Sequence, residues 1–343
     1  MRTIVKNILQ TLFSLALASA FLYLAFRGKD LGETWRSLTD VHWSWFVGLF
    51  LGSVVSHLIR AWRWTYLLSP VKSDVSLRNA FSVTMIGYLV NSVIPRLGEF
   101  VRPYALGKLE GVSKSATMGT IVLERILDIV TFALIVLTVL AVYAGPFAVW
   151  FPSMARFEWL FFAGAAVMLV LFLLIFLKAE VLFRFVRHLT FLLPARVRTQ
   201  ADRIVDSFLS GFRAAQNPRH FLMIAVSSLL IWISYIVLLY APFYIYGFTR
   251  TYGLDFGSAA VLQVASGLAF ALPTPSGIGS YHAFTSFTLT QLFNVDAEQA
   301  LSYAFYTHIV GFLTTTLIGL YYLLADKIHV RDMMESGGGE VKG

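Results

Sequence analysis

The chain has 343 residues, 57% hydrophobic and 13% charged, with a mean hydropathy of +0.71. Soluble domains are nearer half apolar and a quarter charged, so a soluble fold is excluded; with no cysteine, so are disulfides, thiolate metal sites and cysteine nucleophiles. The net charge of +8 belongs with anionic headgroups and cytoplasmic loops and not with nucleic acid. The histidines are scattered without an i, i+4 pair, so neither a metal site nor another cofactor is predicted.

Met1–Asn7 is basic, and an apolar run to Phe26 follows. Ala16–Ala20 (ALASA) has the small residues of a signal-peptidase site. The apolar run continues through FLYLAF, which predicts an uncleaved first helix. Further apolar segments lie at about 44–64, 80–94, 116–143, 158–177, 220–247, 258–272, 276–293 and 299–325. The linker at about 178–219 is the most basic part of the chain and is read as cytoplasmic. Within it RIVDSFLSGFRAA puts Ile204, Phe208 and Phe212 on one face, the pattern of a helix lying on the membrane.

Loop charge then fixes the parity of the crossings. With the basic N-terminus inside, 8–26 exits and 44–64 returns, leaving Arg60, Arg63, Lys72 and Arg78 inside. Read backward from the linker, 116–143 crosses outward, so Arg96, Arg102, Lys108 and Lys114 are also inside. The segment at about 80–110 must enter and leave on the cytoplasmic side. In the second half, the same test makes 258–293 a hairpin entered from outside. The tryptophans fit this parity: Trp43, Trp45, Trp150 and Trp159 at the outer level, Trp62 and Trp64 at the inner.

The predicted fold is therefore an all-α polytopic membrane protein with six full transmembrane helices and two re-entrant helical hairpins. They form inverted-topology repeats over 1–157 and 158–327, followed by a polar cytoplasmic tail, 328–343. GYLVNSVIPRLGEFVR and GLAFALPTPSGIGSYH echo each other, with Gly87 to Pro95 matching Gly267 to Pro275. The alternative is eight or nine complete spans with proline kinks.

Broken backbone at membrane depth is tolerated where it is buried in protein or lines a watery cavity. The first hairpin carries Arg96, Glu99 and Arg102, and the next helix carries Glu124, Arg125 and Asp128. A charge at bilayer depth costs about 2.5–3.5 kcal/mol on insertion scales and is usually paired or functional. Two readings stand side by side: arginines gripping an anionic headgroup, whose planar forks suit phosphate, or an internal salt-bridge lock. RAWRW (Arg60–Trp64) reads as snorkelling arginines in an aromatic belt, with Arg60 alone deep enough to reach the cavity. The second hairpin offers Pro273, Pro275, Ser276, Gly277, Gly279, Ser280, Tyr281 and His282, hence freed backbone amides rather than charge.

RAWRWTYLL, IPRLGEFVRPYAL, ERILD and PTPSGIGSYHAF, in this order, resemble the lysylphosphatidylglycerol synthase transmembrane-region family. The resemblance implies a prokaryotic cytoplasmic-membrane protein, both termini inside, that moves or presents a lipid such as an aminoacylated phospholipid or a lipid-linked precursor. It also implies membrane lipids, and a lipid-modifying enzyme, as partners. The tail DKIHVRDMMESGGGEVKG leaves no room for the soluble aminoacyl-transferase domain, so synthase activity is not expected. Ser276 stands where the family usually has Gly, and His282 where an acidic residue is usual. The leading expectation is a flippase-like transporter; the alternatives are a membrane-embedded headgroup transferase or a non-transporting scaffold.

Overall fold

A computed structural model describes residues 2–142 and 218–328, with a few isolated positions between them. The predicted span 158–177, most of the linker 178–219 and nearly all of the tail lie outside the described residues. Among those described there is no strand. The helices of nine or more residues are α1 (Arg2–Phe26), α2 (Leu31–Thr39), α3 (Trp43–Leu68), α4 (Leu77–Val93), α5 (Gly98–Glu110), α6 (Lys114–Val142), α7 (Pro218–Ile245), α8 (Phe256–Ala271), α9 (Ser280–Phe293) and α10 (Ala297–Ala325). A 3-10 turn, Pro275–Gly277, joins α8 to α9.

Four of these, α3, α6, α7 and α10, are long and apolar enough to cross a bilayer. The described part of α1 passes the same test only with α2, from which it is bent by 90°. The chain is thus a multi-pass membrane protein. Its exposed side chains agree, with Leu51, Val55, Leu229, Ile233, Leu317 and Leu320 on the outside, where lipid is the solvent. Burying them would gain little, so the helices are held by close packing and internal polar contacts.

Local chemistry sets the ends. The Asp30 carboxylate accepts from the backbone N–H of Gly32 at 2.7 Å and starts α2. Asp255 caps α8 through a reciprocal box with Ser258, and Asp296 caps α10. The breaks follow from proline, which removes a backbone donor and pushes the residue before it out of the helical region. Ile94 (φ −126, ψ 110), Leu272 (φ −72, ψ 144) and Thr274 (φ −100, ψ 142) are all extended ahead of Pro95, Pro273 and Pro275.

The four helices around these breaks have 17, 13, 16 and 14 residues, at or below the roughly 17 that a span requires. They pack as pairs, α4 with α5 and α8 with α9. α4 also rests on α10, and α8 rests on α6. α3 and α7 pack along each other between them. The approaches are close enough to need glycine. A Cβ on Gly98 would lie 2.0 Å from the Gly87 carbonyl oxygen, and one on Gly319 would lie 2.6 Å from that of Met85.

The start of α4 and the end of α5 are tied together. Glu110 accepts from Lys72 at 2.6 Å, from Asn79 at 2.7 Å and from the Ser76 backbone at 3.1 Å. Burial pushes its carboxyl up, but these hydrogen bonds and the Lys72 charge outweigh it and hold the group below its ordinary value. Asp326, past the end of α10, pairs with Arg78 at 2.5 Å and accepts from Ser82.

Candidate functional site

One face of α3 carries Ser53, Ser56, His57, Arg60, Arg63 and Trp64 at helical spacing, and all of them are buried. That face meets α6 at its middle and one turn before it, at Asp128 and Glu124. Arg60 donates from Nε to Glu124 at 2.9 Å, from Nη1 to Tyr235 at 3.1 Å, and also to Asp128. Arg63 reaches Asp128 at 2.6 Å and Ser228 at 3.2 Å. Arg102, from α5, donates to Glu124 at 2.8 Å and lies over the Trp64 ring at 4.0 Å, while the Trp64 indole donates to Thr120 at 3.0 Å. Arg125 closes the set, with Glu99 at 2.9 Å and Asp128 at 3.6 Å.

These positions correct two sequence readings. Arg63 and Trp64 do not face lipid or headgroups: each is 0% exposed. Snorkelling failed as an account because Arg63 has acidic partners on α6 that the local sequence does not show. The missed signal was the periodicity, since Ser56, His57, Arg60 and Arg63 share one face that excludes lipid.

At the second break the geometry is neutral. Ser276 (φ 48), Gly277 (φ 73) and Gly279 (φ 83) turn the chain through left-handed conformations. Ser280 donates to the Ala269 carbonyl at 3.0 Å, which ties α9 to the end of α8. The His308 Nε2–H donates to the Ser276 carbonyl at 2.9 Å, and Tyr281 bonds Thr307 at 2.8 Å. His282 Nδ1 accepts from the Gly279 N–H at 3.2 Å, so the ring proton sits on Nε2.

Between the two breaks lies a cavity of ≈ 720 Å³. Of the predicted site residues, Arg60, Arg96, Glu99, Arg125, Asp128, Pro273, Ser276, Gly277 and Tyr281 line it. Arg102, Glu124, Pro275, Gly279 and His282 do not. Arg102 and Glu124 are sealed behind the wall, and His282 packs on Phe305 and His308 with ring centroids 4.1 and 4.6 Å away. Both readings of the deep charges therefore have a physical counterpart. Glu124, Arg63 and Arg102 lock α3, α5 and α6 together, while Arg60, Arg125 and Asp128 belong to the lock and to the wall.

Arg96 differs from all of these. It is exposed, lines the cavity, makes no ion pair among the described residues, and holds φ 68. A non-glycine residue pays about 1–2 kcal/mol for that conformation, and such strain clusters at functional sites. Tyr235, His57, Trp232 and His308 also line the cavity and were not singled out by the sequence. Among the described residues no group of acids and histidines is placed to hold a metal ion.

Residues 11–319 match the model of the family described as lysylphosphatidylglycerol synthase TM region. A UPF0104 membrane protein of Methanocaldococcus jannaschii is 25% identical over 137 residues, 38% of this chain and 40% of that protein. A UPF0104 membrane protein of Methanothermobacter thermautotrophicus is 27% identical over 237 residues, 64% of this chain and 67% of its own length. The matched stretch thus spans well under half of the first relative. No solved structure matches the chain.

Proposed function

The chain belongs to the lysylphosphatidylglycerol synthase TM region family, and from that premise we propose that it is a flippase-like transporter for an anionic phospholipid or lipid-linked precursor. The carrying observation is that one cavity is lined by both helix breaks and by three arginines against two carboxylates. An anionic headgroup is the cargo such a surplus favours. Ile129, Leu268 and Phe270 line the same cavity and are about half exposed on the lipid-facing side. Acyl chains remain in lipid at that edge while the headgroup passes inside.

In this reading α4–α5 and α8–α9 are re-entrant hairpins of two inverted repeats in a six-span protein of the cytoplasmic membrane, with both termini inside. The reciprocal packing, each pair resting on the span that follows the other pair, supports it. A transferase would need a free carboxylate or a metal, and Glu99 and Asp128 are both held by arginine; transport without synthase chemistry is the preferred reading. A lipid-modifying enzyme in the same membrane would supply or consume the cargo.

Purified protein in liposomes with a fluorescent anionic lipid tests the proposal. Transbilayer movement should accelerate, and Arg96→Gln should slow it by roughly 10- to 100-fold, the value of one charge-assisted hydrogen bond of about 1.5–3 kcal/mol. Because Arg96 makes no ion pair among the described residues, the melting temperature of the variant should barely change. Wild-type rates equal to empty liposomes for every headgroup and gradient would sink the transport reading.

Topology has its own test, convenient because the chain has no cysteine. Leu77→Cys and Lys108→Cys should label from the inner side, and Phe256→Cys and Gln291→Cys from the outer. Labelling of either pair from opposite sides would rule out the hairpins.

A further inference from the structure

We propose that His308 is a proton-binding site at the second break, and that the protein moves its anionic cargo together with a proton. The proposal rests on the transport reading and adds the source of its drive.

The charges of the cavity all lie on one side. Its three arginines and two carboxylates come from α3, α6 and the stretch Arg96–Glu99, and none comes from α7, α8, α9 or α10. An anionic headgroup that leaves the arginines for the second break therefore meets hydroxyls, carbonyls and rings. Among the described residues, His308 is the one side chain of that wall of a type that titrates near neutral pH. The other titratable groups there, Tyr235 and Tyr281, are phenols.

The ring is fixed so that one nitrogen stays open. His308 Nε2 lies 2.9 Å from the Ser276 carbonyl, which only accepts, so Nε2 carries the hydrogen. Nδ1 therefore holds a lone pair. It makes no hydrogen bond among the described residues, and its half-buried ring lines the cavity. A proton from water bonds to that lone pair without breaking an existing contact, and it leaves to water by the reverse step. His282, with its ring centroid 4.6 Å away, offers no such place, since its Nδ1 already accepts from the Gly279 N–H. Two imidazolium rings at that spacing would repel, so the pair holds one proton.

The surroundings leave this ring without a fixed counter-ion. From α9 it faces Tyr281, at 5.4 Å between ring centroids, and His282. The helices α3, α4 and α7 pack on α10 and present His57, Arg60, Tyr88 and Tyr235 to the same cavity. α2 packs on α10 as well, but its Glu33 and Arg36 do not line the cavity. α8 has no titratable residue, and α1 offers α9 only Tyr23 within residues 12–26, 63% exposed. No carboxylate acts on His308 among the described residues. The missing counter-charge is one that the cargo brings, because an anion beside an imidazole favours its charged form. The imidazolium in turn gives the headgroup the cation that this wall lacks. Proton and anion then cross as a neutral pair.

The carbonyl contact links the proton to the fold. Ser276 holds φ 48 within the turn that joins α8 to α9. A charged donor makes a stronger hydrogen bond than a neutral one. Protonation thus tightens the break while the headgroup is bound, and release of the proton loosens it.

The test uses the full chain in liposomes that carry a fluorescent anionic lipid and a trapped pH dye. Lipid movement should quicken as the side that the lipid leaves is acidified, by up to about tenfold per pH unit, the limit for one titrating group. The dye should record protons crossing with the lipid. His308→Gln keeps an amide donor for the Ser276 carbonyl and loses the proton site, so its transport should ignore the gradient at native melting temperature. In the native chain with 15N-labelled histidine, dihexanoyl phosphatidylglycerol should convert one imidazole to imidazolium between about pH 5 and 8. Movement that ignores the gradient, with no proton crossing, overturns the coupling and leaves transport standing. Undiminished coupling in His308→Gln overturns the assignment to this residue. Absence of any lipid-dependent protonation overturns the site, whether or not the variant folds. No movement of any lipid under any gradient overturns the transport reading itself.

Discussion

Glu124→Ala is expected to destabilise the protein by about 3–5 kcal/mol, the cost of removing one partner from a buried ion pair. The carboxylate is 0% exposed, and it faces Arg60 at 2.9 Å, Arg102 at 2.8 Å and Arg63 at 3.7 Å. Removing it strands Arg102 completely, because Glu124 is the only acid that Arg102 reaches among the described residues. Arg60 and Arg63 retain Asp128, which then answers for both and for Arg125. The effect concentrates where α5 meets α3 and α6, so the first helix pair should loosen before the rest. Thermal unfolding in detergent, followed by tryptophan fluorescence, measures it. Arg102→Met in the Glu124→Gln background should cost less than the two single changes summed, because it removes the stranded cation. A loss below about 1 kcal/mol for Glu124→Ala would mean that the network contributes nothing to the fold.

Gly279→Ala should cost about 2–5 kcal/mol, and Gly111→Ala about 1. Both glycines hold left-handed backbone, at φ 83 and φ 67, so both substitutions carry the conformational penalty of about 1–2 kcal/mol. They differ in surroundings. A Cβ on Gly111 meets nothing within 4 Å, whereas one on Gly279 would sit 2.3 Å from the Ala18 carbonyl oxygen and 3.1 Å from Leu22 N. Backbone cannot swing aside as a side chain can, and overpacking of this kind adds about 1–3 kcal/mol. The difference between the two melting curves therefore reads the contact between α1 and the second break. Equal losses at the two positions would place α1 elsewhere.

The second pair shows how far local sequence reaches. Pro273, Pro275, Gly277 and Gly279 announce a break, and the break is there, because each residue acts on its own backbone. The same sequence makes His282 look like a cavity residue, and in the fold its ring turns away onto Phe305 and His308. Nothing local could decide this, since His308 arrives from another helix. α2 was also missed: its nine residues are amphipathic and lie below the length of any span.

By itself the sequence determined the membrane class, the helix breaks and the approximate helix bounds. It also determined the short list of charges too deep to be idle. Each follows from neighbours along the chain: run length, proline geometry, and the cost of a charge in lipid. Only the tertiary structure decided which charges were spent on one another. Arg63 and Trp64 passed from a lipid-facing reading to a sealed interior, Glu124 and Arg102 became a lock behind the wall, and Arg96 was left beside the cavity with no ion pair among the described residues. The physical reason is that ion pairing acts through space over a few ångströms. Arg60 and Glu124 stand 64 positions apart in the chain and 2.9 Å apart in the fold.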